Sequence, residues 1–421
     1  MARPEGQPAE LCGWQHGAIF LFACCVLVTR RPDAIFHAQF YAEDGHVWFA
    51  DAYNLGWWHT LLRAQDGYLQ TLSRLTAALA LLAPLALAPL VLNLTALAVE
   101  ALPVSLLLSS RTTAWGSLRF RALLAAVYLV LPNCREMLLI VTSSQWILAL
   151  CAFLVITASA QTTGANRVFD YFVLLLCGLS GPFCFFLAPI AVLLAWRRGE
   201  AWRWINACLL AALSLVQAYS LLVMDSGSRS HAPLGASAGL FIRMLAGHIY
   251  FGALLGGNGL SGNQSPDVLA VLICVAIGGT AVVAFCFLKS AMEMRLFLVL
   301  TGLLLMASLI SPAAYPPPGV SRWELLAQVP GIRYWFFPTL AFAWCLLWGI
   351  RSRGEILKPV SILLLCLMCV GVVRDWRDAK LRDLHYTEFA QRFQAAPAGT
   401  LMTTAENPDG WNIRLIKRRS R

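Results

Sequence analysis

Two adjacent carboxylates, Glu43 and Asp44, follow the first apolar segment of the chain. Ionisable side chains beside a bilayer are costly and rare, so such a pair indicates proton transfer or ion binding. Helix capping is the alternative, in which Asp44 caps a helix N-terminus and Glu43 favours its dipole. A cap requires only one acid, whereas the same loop also carries Asp51 and Asp66. The first loop is therefore a candidate catalytic segment.

Further polar residues lie at the start of the next apolar segment. Asp66 and Tyr68 lead into it, and Arg74 follows about one turn later. Arg74 has two interpretations: it pairs with a carboxylate or a phosphate inside a helix bundle, or it extends its guanidinium to the interface. Asp66, Tyr68 and Arg74 are candidate substrate-binding residues.

Two polar clusters, residues 132–136 and 142–146, interrupt an apolar region. Polar groups at such positions face a bundle interior or a water-filled cavity. Glu136 either forms a turn-stabilising ion pair with Arg135 or contacts substrate. Gln145 and Trp146 contact substrate if their turn reaches the same face as Glu43.

The loop 312–334 ends in Arg333 and Tyr334, followed by further aromatic residues. A guanidinium matches two phosphate oxygens at once, so an arginine beside aromatic residues at a helix start suits a phosphate at the interface. A simple membrane anchor would give the same pattern. Arg333 and Tyr334 complete the set of candidate substrate-binding residues.

Composition identifies the elements that must hold these residues. The 421-residue chain is 59% hydrophobic and only 13% charged, which indicates an integral membrane protein. Its apolar runs suit membrane-spanning helices, since a helix satisfies its own backbone hydrogen bonds. The formal charge of +10 comes from residues scattered among short loops, so no nucleic-acid partner is predicted. The 13 cysteines show neither a disulfide framework nor paired metal-ligand spacing.

The sequence predicts an all-α polytopic membrane protein with about 11 transmembrane helices, within a range of about 10–13, and interfacial helices in the first loop. Residues 1–373 form the transmembrane domain and residues 374–421 a short tail. The predicted spans are 12–29, 68–87, 90–109, 121–140, 144–160, 170–195, 204–223, 268–288, 295–311, 335–350 and 359–373.

Short basic loops set the predicted orientation, because such loops stay in the cytoplasm. Three of them contain Arg197, Arg198 and Arg203; Lys289 and Arg295; and Arg351, Arg353 and Lys358. The N-terminus is then cytoplasmic, and the opposite face carries loops 30–67, 224–267 and 312–334 and the C-terminal tail.

One loop, with Arg111, Arg119 and Arg121, disagrees with this orientation. Either region 68–109 does not cross twice, or Gly181-Pro182 breaks one predicted span into a hairpin. The tail is predicted to be a small amphipathic cap, with a helix within Asp378–Phe393 and a turn at Asn407–Gly410.

The run Tyr41–Gly45, the later Gly67-Tyr68-Leu69 and Ser143–Trp146, and Arg333-Tyr334 resemble the GT-C superfamily of membrane glycosyltransferases, in an uncharacterised bacterial branch. The resemblance implies a GT-C-like fold in the bacterial inner membrane. It also implies transfer of a hexosyl or pentosyl group from a polyprenyl-phosphate sugar to a glycan, lipid or protein acceptor of the cell envelope, on the extracytoplasmic face.

The same resemblance implies residue roles. Asp44, or alternatively Glu43, is the general base that deprotonates the acceptor hydroxyl, and Asp44 is preferred. Arg333, and secondarily Arg74, stabilises the departing lipid phosphate. Some members place a divalent cation beside the acidic pair, but the sequence shows no complete metal site, so cofactor use stays open.

Two other classes compete with the enzyme. A lipid-linked sugar flippase or secondary transporter would more often show inverted repeats, which are not recognisable in this sequence. A non-catalytic assembly subunit would not require Glu43, Asp44, Arg74 and Arg333 to converge.

Overall fold

The computed structural model describes residues 11–160, 163–224, 230–257, 266–352 and 355–418. Within these ranges the chain is mostly helical, with one antiparallel two-stranded sheet near the C-terminal end. The predicted fold class, an all-α polytopic membrane protein, is confirmed. Six described helices are long and apolar enough to cross a bilayer: Leu85–Leu108, Ala201–Met224, Ala238–Leu255, Leu269–Lys289, Met292–Ile310 and Leu357–Arg374.

The α-helices run in chain order as follows: α1 (Gly13–Arg30), α2 (Asp33–Phe36), α3 (Trp57–Thr60), α4 (Thr71–Ala80), α5 (Ala88–Leu108), α6 (Leu118–Leu129), α7 (Ser144–Thr157), α8 (Gly164–Gly178), α9 (Cys184–Arg198), α10 (Ala201–Tyr219), α11 (Ala238–Ile242), α12 (Gly252–Leu255), α13 (Pro266–Lys289), α14 (Met292–Ile310), α15 (Arg322–Gln328), α16 (Arg333–Arg351), α17 (Leu357–Arg374) and α18 (Tyr386–Ala395). The strands are β1 (Leu401–Glu406) and β2 (Trp411–Ile416). Segments Asp44–Phe49, Ala52–Gly56, Ser220–Met224 and Arg243–Phe251 are π-helical, and Leu85–Leu87, Ser110–Trp115 and Arg135–Met137 are 3₁₀ turns.

The helix ends gather on two faces of the bundle. On one of them, which we call the basic face, the Ser159 amide donates to the Arg111 carbonyl oxygen over 2.8 Å. There the Arg203 guanidinium donates to the Ile156 carbonyl oxygen over 2.9 Å, and Arg198 pairs with Glu293. The loops that carry these arginines therefore lie together.

The opposite face, which we call the site face, collects the first loop, the tail and the turns between alternate helices. Arg30, at the end of α1, donates to the Leu129 carbonyl oxygen at the end of α6 over 2.9 Å. The Thr71 amide donates to the Leu179 carbonyl oxygen over 2.9 Å. Arg30 also accepts, through its backbone oxygen, from the amide of Asp378 in the tail.

Two predicted spans are wrong, and both errors have a physical cause. Residues 68–87 form only the ten-residue α4 before the chain turns into α5, and ten residues rise about 15 Å, half a bilayer core. Residues 170–195 form two helices, α8 and α9, because Gly181 adopts a left-handed φ of 97° at the turn between them. Both explanations for the disagreement at Arg111, Arg119 and Arg121 are therefore correct: region 68–109 does not cross twice, and the turn at Gly181-Pro182 divides the span 170–195. Arg111 lies on the basic face with Arg203.

One apolar helical stretch, Ala238–Leu255, contacts the site face at both ends. Before its start, the Leu234 carbonyl oxygen accepts from the amide of Trp323. After its end, the Gly257 amide donates to Asp375 over 2.8 Å. Length and hydropathy alone would permit this stretch to span a bilayer, but its two ends lie on one side of the bundle.

Near the basic face the helices pack around an aromatic cluster. The rings of Trp115 and Trp344 lie 5.4 Å apart, and those of Phe297 and Trp344 lie 4.7 Å apart. Phe153 and Phe297 extend the cluster at 5.5 Å. Tilted and edge-on pairs at these spacings are favourable for aromatic rings.

The tail adds a folded cap to the site face. The predicted helix is present but shorter, at Tyr386–Ala395, and the predicted turn at Asn407–Gly410 joins β1 to β2. The pairing of these strands as a hairpin was not predicted. The Ala42 amide donates to the Asn407 carbonyl oxygen over 2.5 Å, and the buried Ile413 and Leu415 pack into the cluster that contains Phe40 and Trp48.

Gly45 is the point of closest approach between the first loop and the tail. A Cβ at this position would overlap the Glu406 carboxylate and lie 2.5 Å from Ile413 Cδ1 and 2.8 Å from Phe40 Cβ. We expect Gly45→Ala to displace the hairpin and to cost about 1–3 kcal/mol, the usual range for overpacking.

Limited proteolysis after residue 395 measures that displacement. Gly302→Ala, where a Cβ meets nothing within 4 Å, is the matched control and should digest like the native protein. Native digestion of Gly45→Ala would contradict the docking of the hairpin.

Candidate functional site

The side chains of Glu43 and Asp44 have different surroundings. Asp44 is 1% exposed, and both of its oxygens accept hydrogen bonds. Oδ1 accepts from the Thr142 amide over 3.0 Å and the Thr142 hydroxyl over 2.6 Å, and Oδ2 accepts from the Val141 amide over 3.2 Å. Burial nevertheless raises the pKa of Asp44 to about 7. Asp44 therefore ties the first loop to the turn before α7.

Arg74 belongs to this same anchoring network. Its guanidinium lies 4.7 Å from the ring centre of Trp48 and donates to Asp51 over 2.8 Å. The Trp48 indole N–H in turn donates to the Thr142 hydroxyl over 2.7 Å. Arg74 is 1% exposed. Its positive charge neutralises the charge of Asp51 on the buried side of the first loop.

Glu43 faces a different set of charges and is only partly buried. Burial raises its pKa, the positive charge of Arg333 opposes that shift, and the negative charges of Asp66 and Glu136 add to it. These four residues, Glu43, Asp66, Glu136 and Arg333, are called the charged cluster below. The cluster unites the first loop, the polar turn after α6 and the start of α16.

Arg333 is held in the charged cluster by Glu136. The two side chains pair at 3.5 Å, and Glu136 also accepts from the Arg333 backbone amide over 3.2 Å. The Glu136 amide donates to the Gly331 carbonyl oxygen over 2.9 Å. Arg333 remains 22% exposed and Glu136 24% exposed, so the guanidinium is accessible to a ligand.

Three tyrosines border the charged cluster. Tyr315 donates to Asp66 over 3.2 Å, and burial together with the charge of Asp66 raises the pKa of Tyr315 to about 12. The guanidinium of Arg333 lies 5.4 Å from the ring centre of Tyr334, and Tyr68 lies near enough to Arg333 to interact electrostatically. The Tyr315 hydroxyl is hydrogen-bonded to Asp66, and the Tyr334 hydroxyl accepts from the Ala313 amide over 2.9 Å.

Trp146 reaches this region but Gln145 does not. The rings of Trp146 and Tyr334 meet edge-on at 5.8 Å. Gln145 instead donates to the Thr142 carbonyl oxygen over 3.1 Å, and its own oxygen lies against Gly181. Gln145 is thus placed with the anchoring network of Asp44.

The structure therefore divides the predicted site residues into two groups. One group lies at or beside the charged cluster: Glu43, Asp66, Tyr68, Glu136, Trp146, Arg333 and Tyr334. The other lies in the buried anchoring network: Asp44, Arg74 and Gln145.

A third carboxylate beside the acidic pair was not predicted. Glu406 ends β1, is 2% exposed and accepts from the His46 amide over 3.1 Å. Burial and the negative charge of Asp44 raise the pKa of Glu406 to about 9. A single acidic residue 360 positions away from His46 gives no local signal of this contact. Tyr315, in a proline-rich loop, was missed for the same reason.

The acidic pair does not form a complete metal site in the described part of the chain. No group of three or more His, Cys, Asp or Glu side chains there has the arrangement of metal ligands. Three of the roughly four lone-pair positions of the Asp44 carboxylate already accept from N–H and O–H donors. No reaction step is therefore assigned to a cation.

Comparison with solved structures finds a structural likeness, whereas comparison of the sequence finds none. No family model matches the chain, and no curated protein matches it. The structure is similar to the crystal structure of an oligosaccharyltransferase from Archaeoglobus fulgidus, tethered to an acceptor peptide that contains an NVT sequon. The TM-score is 0.42 at 12% sequence identity, and the match covers 91% of this chain and 58% of that one. The chain thus spans somewhat more than half the length of that protein.

The raised pKa of Glu406 predicts loosening of the tail at alkaline pH. A folded-state pKa of about 9 lies above the usual value of 4.5, so the folded protein binds the extra proton and loses stability as pH rises towards 9. Deprotonation would place a second negative charge beside Asp44. We expect proteolysis of the native tail to accelerate from about pH 7 to about pH 9.5, a pH just above the pKa of Glu406.

Glu406→Gln keeps an oxygen that accepts from the His46 amide but cannot ionise, so its tail should digest at a pH-independent rate once protease activity is normalised. Glu388→Gln, at an exposed tail residue, should behave like the native protein. Equal pH dependence in Glu406→Gln and the native protein would show that Glu406 is not the group that loosens the tail at alkaline pH.

Proposed function

We propose that this protein is a GT-C-type glycosyltransferase that moves a sugar from a polyprenyl-phosphate donor to a hydroxyl group of a glycan, lipid or protein acceptor of the cell envelope. One observation carries the proposal: a partly exposed carboxylate, Glu43, and a partly exposed guanidinium, Arg333, belong to one cluster on the site face. A base and a phosphate-binding cation are the two groups that this reaction requires.

Glu43 is the proposed general base. It removes the proton from the acceptor as the acceptor atom attacks the anomeric carbon, and the bond from that carbon to the phosphate oxygen breaks with inversion. The electron pair of that bond leaves with the phosphate, and the proton remains on Glu43. The raised pKa of Glu43 favours this transfer, because a base is most effective when its pKa lies near the working pH.

Arg333 is proposed to hold the departing phosphate, whose negative charge grows as the bond breaks. Its guanidinium is positioned by Glu136 before any substrate binds, so little reorganisation is needed during the reaction. Tyr68, which borders the same guanidinium, is suited to bind oxygens of the donor. The Tyr334 hydroxyl is already engaged by the backbone of Ala313, and its ring packs edge-on against Trp146.

Asp44 is proposed as a positioning residue rather than as the base. Its oxygens are occupied by three donors from Val141 and Thr142, and its side chain is inaccessible to an acceptor. Arg74, paired with Asp51, supports the same loop from below. These contacts shift the proposed base from Asp44, which the sequence favoured, to its neighbour Glu43.

The proposed location is the bacterial inner membrane, with the basic face in the cytoplasm and the site face outside. The positive-inside bias supports this orientation, since Arg111, Arg198 and Arg203 all belong to the basic face. The site face would then meet polyprenyl-linked donors and envelope acceptors.

The role of Glu43 as general base is tested with purified protein and a panel of polyprenyl-phosphate sugars. We expect Glu43→Gln to lower the rate of lipid-phosphate release by about 10²–10⁴-fold, the usual contribution of a general base. The native rate should rise with pH through a pKa above the ordinary glutamate range. The thermal stability of Glu43→Gln should stay near that of the native protein, because the Glu43 carboxylate makes no hydrogen bond to another element within the described ranges.

Asp44→Asn is the informative comparison. The amide group would face an N–H donor, so this variant should lose stability together with activity, and Thr142→Val should share the loss of stability. A native rate in Glu43→Gln with a large loss in a stable Asp44→Asn protein would return the base role to Asp44.

A reporter fused to the C-terminus tests the orientation. Alkaline phosphatase, which is active outside the cytoplasm, should be active, because the tail docks on the site face. A fluorescent protein that folds only in the cytoplasm should stay dark at the same junction. The reverse pattern would place the charged cluster in the cytoplasm.

A further inference from the structure

A second polar cavity opens on the site face, across the Arg135–Glu136 turn from the charged cluster. Glu136 points to Arg333, whereas Arg135 lines the cavity. The charged residues around it are Arg30, Arg135, Arg374, Arg377, Asp375 and Asp378. We call this cavity the arginine cleft. Its volume is about 110 Å³, and since a water needs about 10–15 Å³ by this measure, it has room for a hydrated phosphate.

The two acids of the arginine cleft are already engaged by the protein. Asp375 accepts from the backbone amides of Asn133 and Gly257, each over 2.8 Å. Asp378 accepts from Arg135 over 2.8 Å. Each acid therefore meets a donor in the wall of the cleft through one oxygen, and Asp378 Oδ2 has no hydrogen-bond partner among the described residues.

The arginines are less fully engaged. Arg30 is 2% exposed and donates to the carbonyl oxygens of Leu129 and Leu131, but its Nε has no partner among the described residues. Arg374 and Arg377 are exposed and have neither an ion pair nor a side-chain hydrogen bond within the described ranges. The cleft thus has an excess of positive charge and unused N–H donors.

The position of the arginine cleft indicates which ligand can reach it. Arg30 is the last residue of α1, and Arg374 the last residue of the apolar helix α17. Both apolar helices end on the site face, so their terminal arginines lie at the depth of lipid headgroups. The abundant anion at that depth is phosphate, and guanidinium groups bind its oxygens in a bidentate way.

We propose that the arginine cleft is a phosphate-binding site, separate from the charged cluster, that receives a phosphate monoester or diester at the membrane surface. Arg374 and Arg377 supply the accessible guanidinium groups, and Arg30 and Arg135 form the base and wall. This proposal does not depend on the proposed function. If the protein binds phosphate in the arginine cleft but transfers no sugar, the phosphate site stands and only the proposed function fails.

Titration calorimetry tests whether the arginine cleft binds phosphate. Full-length protein in phosphatidylcholine nanodiscs is titrated with inorganic pyrophosphate. We expect the double variant Arg374→Gln/Arg377→Gln to bind about tenfold more weakly or worse, as loss of charge-assisted hydrogen bonds implies. The same loss is expected when Arg333 is also replaced by Gln, which removes any contribution of the charged cluster.

The matched control is Arg392→Gln/Arg414→Gln, which removes two exposed tail arginines that do not line the cleft. It should bind pyrophosphate like the native protein. Equal weakening in both double variants would show a general charge effect and overturn the proposal, as would native binding by Arg374→Gln/Arg377→Gln.

A second arm identifies the source of the phosphate. Nanodiscs that contain phosphatidylglycerol are titrated in the same way. Competition with pyrophosphate in the native protein, but not in the cleft variant, identifies a lipid headgroup as the ligand. Undiminished pyrophosphate binding identifies a soluble phosphate ester.

Discussion

The hydrogen bonds from Val141 and Thr142 to Asp44 are the constraint on which the site depends. They join the first loop to the turn before α7, two segments almost 100 residues apart in the chain. Three donors replace part of the water that the buried carboxylate gives up, although burial still raises the pKa of Asp44 to about 7. With Asp44 fixed, the preceding Glu43 is directed to the other side of the loop, towards Arg333.

Buried arginines perform the same joining function elsewhere on the site face. Arg30 and Arg31 donate to carbonyl oxygens of the segment that connects α6 to α7, and Arg74 stacks on Trp48 while pairing with Asp51. Such groups would be costly in an apolar bundle without partners. These donors therefore hold loops in place, while Arg333 presents a partly exposed guanidinium in the same cluster as Glu43.

Much of the fold could be predicted from hydropathy, and parts of the site from local residue type. Apolar runs located most of the long helices, and the polar turn with Glu136 and the aromatic start of α16 did belong to one cluster. The α4 segment was misread because the chain turns between Ala80 and Ala88 although the apolar run continues through that turn, and the length of an apolar run does not reveal the turn. Adjacent positions 43 and 44 could not be separated without knowing where the Val141 and Thr142 amides lie. Whether Glu43 transfers a proton stays a prediction.

The docking of the β-hairpin has a consequence for biosynthesis. Glu406 and His46 are 360 residues apart, with nearly every membrane helix between them. A nascent chain therefore inserts its acidic pair long before the strand that covers it leaves the ribosome. Until then Gly45 and the ring of Phe40 lack the contacts that the hairpin provides, so the first loop is covered only after the helices between these two segments have been synthesised.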